Sequence, residues 1–576
     1  MDVDRSSFHL LLPSLLDVIH RAHFVAIDFE FSGIHQQPQR AHRARSGGRR
    51  RQTLQQRYSE TKAAAEKYQI LQVGLTCVEQ DTANDRYITR PYNFDLSPLI
   101  SEKLDLDRDF SFQSGAVEFL LAHGFHLEAP FLTGVPYLSR SEECQVRQQT
   151  SGPRGQSGIA DIVLKDHDLD SREFMRRVRG EITAWLDITT PSQSEEAYLN
   201  IAPLGIGGEH ENHLNLNNFQ KRLVHQLVRA EFPDLVTVSR PGFIQVLMYD
   251  KKREDAVALS RKRRVDEQLS RQIGFRWVLE AMSGGDLSGI DAAGFARDPH
   301  GEPIFVDLDA IKSHFDGLRG QLRRHRSVLV GHNLFTDVVY LYQAFFGALP
   351  DTVEDFRYCL HDLFPLIIDT KYLATHQTIA ANPKSSLQEI DEQLRSQAIP
   401  TIETAPDHSK YNLREVAHEA GYDSLLTAQV LIKLSTKLHA ANRPATEMEA
   451  AALESDKDDS ERASQDGGVR LEPPKAKPPR KKGILAQHSG NEPVTSGSRF
   501  AALLDLSSES EWDPSSTAQG PVKSHQPRGT PRRSAHGARL DPSHTMPPFQ
   551  GEFWKVYGNK LRVFGTEEEV FDLDSS

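Results

Sequence analysis

The alternation of apolar and polar positions opens with a helix and then breaks into strands. Residues 1–24 carry two acids before their apolar positions, which then recur at helical spacing, so an amphipathic helix is expected here rather than a leader peptide. FVAIDFEF at 24–31 is an apolar run interrupted by two acids, the pattern of a buried strand with charges set into it. QILQVGLTC at 69–77 and YITRPYNF at 87–94 predict the next strands, and 113–121 predicts a helix. The arginine-rich stretch 39–57, with Gly47 and Gly48, reads as a loop, and the looser pattern from about 139 to 159 reads as a linker.

Helices over 170–187 and 217–231 and strands over 235–238 and 243–249 predict a small α/β module. The charged run 251–271, including RKRR at 261–264, predicts a solvated helix after it. Strands and helices alternate again from 274 to 438, with a strand at 328–330, a helix at 335–346 and a strand at 366–369, as in a layered α/β core. Beyond 442 the composition turns to Glu, Ser, Asp, Lys and Pro with no apolar period, which predicts a disordered tail. GEFWKVYGNKLRVFGTEEEVFDL at 551–573 departs from that tail and predicts either a short hairpin turning at YGNKL or a segment that binds a partner. The domain map is therefore 1–165 and 266–440 for a divided main domain, 166–265 for an inserted module, 441–547 for a linker and 548–576 for a short β-like segment.

Composition narrows the function classes. A chain of 576 residues accommodates several domains at about 100 to 200 residues each. A hydrophobic share of 38% and a mean hydropathy of −0.51 fit folded regions diluted by a polar one. The formal net charge of −12 excludes nucleic-acid binding by bulk charge, so any such site must be local. Cys77, Cys144 and Cys359 lie far apart with no C-x-x-C pair, which excludes the usual zinc and redox spacings and favours a reducing, intracellular compartment. No uninterrupted apolar run approaches membrane-spanning length, so no membrane partner is expected.

Three separated elements carry the candidate chemistry. Asp28 and Glu30, two apart on a strand, project from one face, where unpaired carboxylates among apolar neighbours are costly and a cation relieves the cost. A solvent-facing strand is the plainer reading of such a pair. SVLVGHNLFTD at 327–337 places Asp337 in the first turns of a helix after a strand end, where it either serves a site or merely favours the helix N-terminus. In YNLREVAHEAGYDSLL at 411–426, Gly421 is expected to end one helix and Asp423 to begin the next, bringing His418 and Asp423 together. On one continuous helix, five residues would set them about 140° apart. Four carboxylates and a histidine are what phosphodiester hydrolysis assisted by two metal ions needs, with hard oxygens suited to Mg²⁺ or Mn²⁺.

The order D-x-E, N-x-x-x-D, H-x-x-x-x-D resembles the DEDDh exonucleases. AIDFEFSGI at 26–34, QSGAVEFLLAHGF at 113–125, GVPYL at 134–138, GHNLFTDV at 331–338, LIIDTKYLA at 366–374 and HEAGYDSLLT at 418–427 resemble the poly(A)-specific ribonuclease family, in a fungal-type member. The resemblance implies an α/β, RNase H-like fold, a mixed sheet flanked by helices. It also implies an inserted small α/β domain of Arg-x-x-x-His type. It implies a metal-dependent 3′-to-5′ exoribonuclease that shortens poly(A) tails and releases 5′-AMP, with two Mg²⁺ per site for which Mn²⁺ can substitute. Asp28, Glu30, Asp337 and Asp423 would ligate the metals and His418 would be the general base. Ile34, Phe119 and Lys371 would contact the nucleotides, against core packing or a surface charge as their plainer roles.

The Arg-x-x-x-His signature is absent in strict form, since Lys221 stands four before His225 and Arg222 three before it, and Phe29 occupies a position where related sequences often carry a smaller residue. RNA with a 3′ poly(A) or oligo(A) tail is the implied partner, with a homodimer as the implied assembly. The basic stretches 40–51, 261–264 and 475–482 read as import signals, RNA contacts or solvated charge, and a distribution over nucleus and cytoplasm is expected. Two alternatives stay open: a trimmer of small-RNA 3′ ends, and an inactive RNA-binding scaffold.

Overall fold

The computed structural model describes residues 1–34, 51–150, 161–188, 198–203, 215–291, 302, 307–376, 386–441 and 545–575. In chain order the elements run β1 (Asp2–Val3), α1 (Arg5–Arg21), β2 (Phe24–Phe31), α2 (Leu54–Ala65), β3 (Ile70–Asp81), β4 (Arg86–Ser97), α3 (Ser114–Ala122), α4 (Ala129–Leu132), β5 (Val135–Pro136) and α5 (Arg140–Thr150). Then come α6 (Leu169–Ile188), β6 (Tyr198–Ile201), α7 (Asn218–Glu231), β7 (Leu235–Arg240), β8 (Phe243–Met248), α8 (Lys251–Ile273), α9 (Arg276–Ser283), α10 (Leu308–Leu322), β9 (Leu329–Gly331) and α11 (Phe335–Leu341). The last are α12 (Val353–Leu363), β10 (Ile367–Asp369), α13 (Thr370–Thr375), α14 (Leu387–Leu394), β11 (Thr401–Thr404), α15 (Ala420–Ala441), α16 (Glu552–Tyr557), β12 (Lys560–Arg562) and β13 (Val570–Asp572). Two compact units result: Met1–Ser101, Asp107–Ser141 and Arg271–Ser576 form the first, and Glu102–Leu106 with Glu142–Ser270 the second.

The first unit is built on an eight-stranded mixed sheet flanked by helices, as the sequence implied, with the order β1-β4-β3-β2-β9-β10 and with β5 and β11 also pairing β4. β2, β3 and β4 are antiparallel neighbours, whereas β2, β9 and β10 run parallel, so the carboxyl ends of these three lie along one sheet edge. That edge is where open α/β sheets present their sites. Both faces of β2 are covered, which explains its continuous apolar run. Behind the edge, Phe24, Val330, Ile368, Leu426, Val430 and Trp554 share one core.

The second unit is a three-stranded antiparallel sheet, β6-β8-β7, with the apolar faces of α6 and α7 packed on it through Val178, Ile182, Val224, Leu227, Ile244 and Val246. Asn217 begins α7 with a reciprocal capping box to Gln220. Residues 140–150, expected in a linker, form the helix α5. It carries few apolar residues, of which Val146 is buried, so its apolar period is faint.

Three further differences have local causes. Thr53 caps α2 through Gln56, so the helix starts inside the stretch read as a loop. The expected helix 335–346 gives way to a π-helical turn at Tyr342–Phe346 before Gly347, whose φ of +135° suits glycine. In the C-terminal segment, 552–557 is helical, and Gly558 and Asn559 do not form the hairpin turn. Asn559 instead joins the β10 edge, where its N–H donates to Ile367 O (2.8 Å) and its Oδ1 accepts from Ile367 N (2.9 Å). The hairpin β12-β13 closes through 563–569, with Gly565 and Glu569 at positive φ. Of the tail expected to 547, residues 442–544 with the basic stretch 475–482 lie outside the described residues, as does most of 40–51, while its end is ordered, with Met546 buried and its N–H donating to Tyr87 Oη at 3.1 Å.

Candidate active site

Asp28 and Glu30 stand on β2 with relative exposures of 1% and 2%, and Phe29 between them is buried, stacked on Phe31. Opposite Asp28 in the antiparallel ladder is Gly74 of β3, and opposite Glu30 is Gln72. An ideal Cβ at Gly74 would lie 1.7 Å from the carbonyl oxygen of Ala420, so the absent side chain makes room for the first turn of α15 to rest on the sheet. That turn is fastened by side chains from the sheet: Gln72 Oε1 accepts from Ala420 N (3.0 Å), and Asn93 Oδ1 accepts from Gly421 N (3.0 Å). These two acceptors satisfy N–H groups that a helix start leaves unpaired. Thr76 and Ser424 hydroxyls add a buried hydrogen bond of 2.8 Å.

Asp423, in this first turn and 1% exposed, is thereby set over β2. Ligand oxygens of Asp28, Glu30 and Asp423 all lie within 4.8 Å of one another. The positive end of the α15 dipole favours a carboxylate at Asp423, and Gln388 Nε2 donates to its Oδ1 at 3.4 Å. Such a trio fits a divalent cation. Three buried carboxylates at this separation repel one another, and their oxygens are the hard donors that Mg²⁺ and Mn²⁺ prefer.

Asp337 lies in the first turn of α11 past the end of β9 and is 7% exposed; it does not join the three-carboxylate group. His418 is reached differently from the sequence expectation. No helix ends at Gly421, which falls inside the first turn of α15; His418 precedes that helix in a turn with φ of +66°. Gly421 is required by crowding, because a Cβ there would meet Tyr411 Oη at 2.4 Å and Asn93 Cβ at 2.8 Å. The His418 ring packs edge-on to Phe119 (4.8 Å between centroids) and to His123 (4.2 Å), and His123 Nδ1 is 2.8 Å from Phe119 O. Ile34 is half-buried past the end of β2, its N–H donating to Gln113 Oε1 at 3.1 Å.

Lys371 is 4% exposed in the first turn of α13. Burial pulls its pKa below the usual lysine range, and the charges of Asp369 and Glu389 oppose the shift. Asp369 is fully buried, and burial raises its pKa even though it accepts backbone N–H groups from Asn333, Lys371 and Arg562. The sequence reading did not single out Gly74, Gln72, Asn93, His123 or Asp369. His123 directly follows the helix that carries Phe119 and is its C-cap, while the other four are ordinary residues until the strands are in register. In the second unit, His225 bridges the hydroxyls of Thr237 (2.6 Å) and Ser239 (2.9 Å), and Lys221 Nζ donates to Arg240 O (2.7 Å).

Fold and site together define a class: a mixed α/β protein gathering buried carboxylates beside the edge of its sheet, a donor set suited to divalent metal ions. The profile of CAF1 family ribonucleases matches residues 3–431, and the chain belongs to that family. It is 26% identical over 457 residues to the poly(A)-specific ribonuclease PARN of Danio rerio, covering 76% of this chain and 60% of that protein. The chain thus spans less than two thirds of that relative's length. An uncharacterised protein of Schizosaccharomyces pombe is 28% identical, covering 65% of this chain and 75% of its own. The pre-piRNA 3′-exonuclease trimmer of Bombyx mori is 23% identical, covering 77% and 72%. A solved structure, S. pombe Pop2p in its Mg²⁺ and Mn²⁺ bound form, is 13% identical with a TM-score of 0.31, over 74% of this chain and 89% of that one. Among the described residues, no helix is long and apolar enough to cross a membrane.

Proposed function

We propose that this chain is a metal-dependent 3′-to-5′ exoribonuclease that shortens poly(A) tails and releases 5′-AMP. The observation that carries the reading is the buried trio of Asp28, Glu30 and Asp423 within 4.8 Å, in a member of a ribonuclease family. The relative from Danio rerio, named a poly(A)-specific ribonuclease, supports the substrate. In this reading the trio and Asp337 hold two Mg²⁺, for which Mn²⁺ substitutes. When bound, the ions lower the pKa of the attacking water and offset charge on the phosphate.

The remaining steps belong to the chain. His418 takes the proton of the attacking water, and its ring is oriented by Phe119 and His123. Ile34 and Phe119 offer apolar surface to the terminal nucleobases, and Lys371 a positive charge to the backbone. The covered face of the carboxylates limits access by bulk water.

The test is hydrolysis of a 5′-labelled RNA ending in about 20 adenosines, with Mg²⁺ or chelator, for the parent and Asp28→Ala. Stepwise shortening that needs the metal and is lost in the variant supports the reading; binding without cleavage by the parent refutes it and favours the scaffold. The trimmer reading has the Bombyx mori relative in its favour. It wins if A-tailed and mixed 3′ ends are removed at equal rates. The homodimer and the nuclear and cytoplasmic distribution rest on the resemblance and the basic stretches; sedimentation of the purified chain and imaging of the tagged chain test them.

A further inference from the structure

The C-terminal segment, read from sequence as a short hairpin or a partner-binding piece, is packed into the first unit beside the candidate site. β12 runs alongside the outer edge of β10, held by the two Asn559–Ile367 bonds and by Arg562 N donating to Asp369 Oδ2 at 2.9 Å. The segment also reaches the residues that lead into α2: Leu54 N donates to Glu568 Oε2 (2.9 Å), and Glu567 N donates to Gln52 O (2.8 Å). Asp369, at the carboxyl end of β10, pairs in register with Gly331 of β9, and β9 pairs with β2 two residues before Asp28. Crossing from β2 to β10 is two strand spacings, roughly 10 Å. That is within reach of one or two nucleotides of a strand whose 3′ end lies at the carboxylates.

At this place the segment adds a charge and a ring. Arg562 Cζ lies 5.2 Å from the centroid of Phe564, and Lys371 Nζ lies 5.7 Å from the same centroid. Two cations from distant parts of the chain thus share one half-buried aromatic ring. The Arg562 side chain is 16% exposed and forms an ion pair with Glu569 at 3.8 Å, while its buried Nε has no hydrogen-bond partner. The carboxylates of Asp369 and Glu389 favour the charged form of Lys371, while burial and the charge of Arg562 disfavour it. The two like charges repel each other, and the carboxylates of Asp369, Glu389 and Glu569 offset part of that repulsion. A guanidinium, an ammonium and an aromatic face together suit a nucleotide phosphate and its base.

We propose that Arg562 and Phe564 of the C-terminal segment complete, with Lys371, a subsite for a backbone phosphate and base of the RNA strand, upstream of the 3′ end. The subsite rests on the exoribonuclease reading for its substrate. The C-terminal segment is then part of the RNA groove, and the chain from 442 to 544 is what connects it to α15.

The experiment uses the full chain and a fluorescein-labelled RNA ending in about 20 adenosines. Binding is measured by anisotropy in chelator over a salt series, and cleavage kinetics are measured in Mg²⁺. Arg562→Gln weakens binding about tenfold and lowers the salt slope by about 0.7, the value for one phosphate contact on a single strand. It raises KM with kcat kept; Arg562→Lys recovers most of the binding; Lys555→Gln, an exposed cation of the same segment, changes nothing. Phe564→Ala weakens binding without changing the salt slope. Unchanged affinity and slope in Arg562→Gln overturn the subsite, as does a loss shared by Gln and Lys variants alike with a lowered melting temperature and kcat. A parent chain that binds RNA but never cleaves sinks the exoribonuclease reading while the binding shifts still decide the subsite.

Discussion

Replacing Gly74 by Ala tests the idea that the candidate centre is assembled by the close approach of α15 to β3. The added methyl would lie 1.7 Å from Ala420 O and 2.1 Å from Ala420 C, both backbone atoms, so no rotamer change relieves the clash. The first turn of α15 must retreat by roughly 1.5 Å or more to reach van der Waals separation. Overpacking of this kind costs about 1–3 kcal/mol, and a rigid partner puts this case at the upper end. The same retreat strains the bonds from Gln72 and Asn93 that anchor the turn and carries Asp423 away from Asp28 and Glu30. A displacement near 1 Å at a reacting centre costs on the order of 100-fold in rate. The melting temperature falls by only a few degrees per kcal/mol in a unit of this size. Activity therefore drops much further than stability. The assay pairs hydrolysis of A-tailed RNA with thermal scans in chelator and in Mg²⁺, and the variant loses most of the Mg²⁺-dependent rise in melting temperature. A Gly74→Ala protein with activity within threefold of the parent and the same Mg²⁺ shift would refute the assembly argument.

Other consequences are equally specific. Asp28→Asn relieves repulsion within the carboxylate trio, so its melting temperature in chelator equals or exceeds that of the parent while stabilisation by Mg²⁺ disappears, as paired thermal scans would read. His418→Ala lowers kcat by about 100- to 10,000-fold with little change in RNA binding, which single-turnover kinetics separate from product release. Glu280 is 3% exposed between Arg140 (2.6 and 2.9 Å) and Arg276 (3.3 Å), so Glu280→Ala strands a buried guanidinium and costs about 3–5 kcal/mol in denaturant unfolding. His408 is held down to about 4 by burial, with Arg90 among the charges that add to it. The folded protein thus refuses a proton that the unfolded chain accepts below about 6.5, and stability falls as pH drops from 6.5 toward 4. His408→Gln flattens that part of the stability profile; an unchanged slope there would show that another group sets it.

Much of this protein is written locally. β2 is legible because an apolar run with acids two apart reads as a strand in which both carboxylates share a face, and the mixed helix-and-strand pattern follows from periods that each segment carries alone. Asp28 and Glu30 could be picked out because carboxylates set into an apolar run are costly without a purpose, and Asp337, His418 and Asp423 because, with that pair, their order resembles the DEDDh pattern. What depends on register and packing was hidden. Gly74 is one glycine among 37 until the ladder sets it opposite Asp28 and under Ala420. Gln72 and Asn93 look like ordinary strand residues until a helix arrives needing acceptors. His418 meets His123 across nearly 300 residues, and Asn559 leaves its apparent turn because the open edge of β10 offers it two hydrogen bonds. Sequence by itself determined which elements form and which residues are chemically expensive, since both are set by neighbours along the chain. Only the tertiary structure decided which of them meet, because that depends on strand pairing, on close backbone approach and on a C-terminal segment that returns to the sheet from more than 100 residues away.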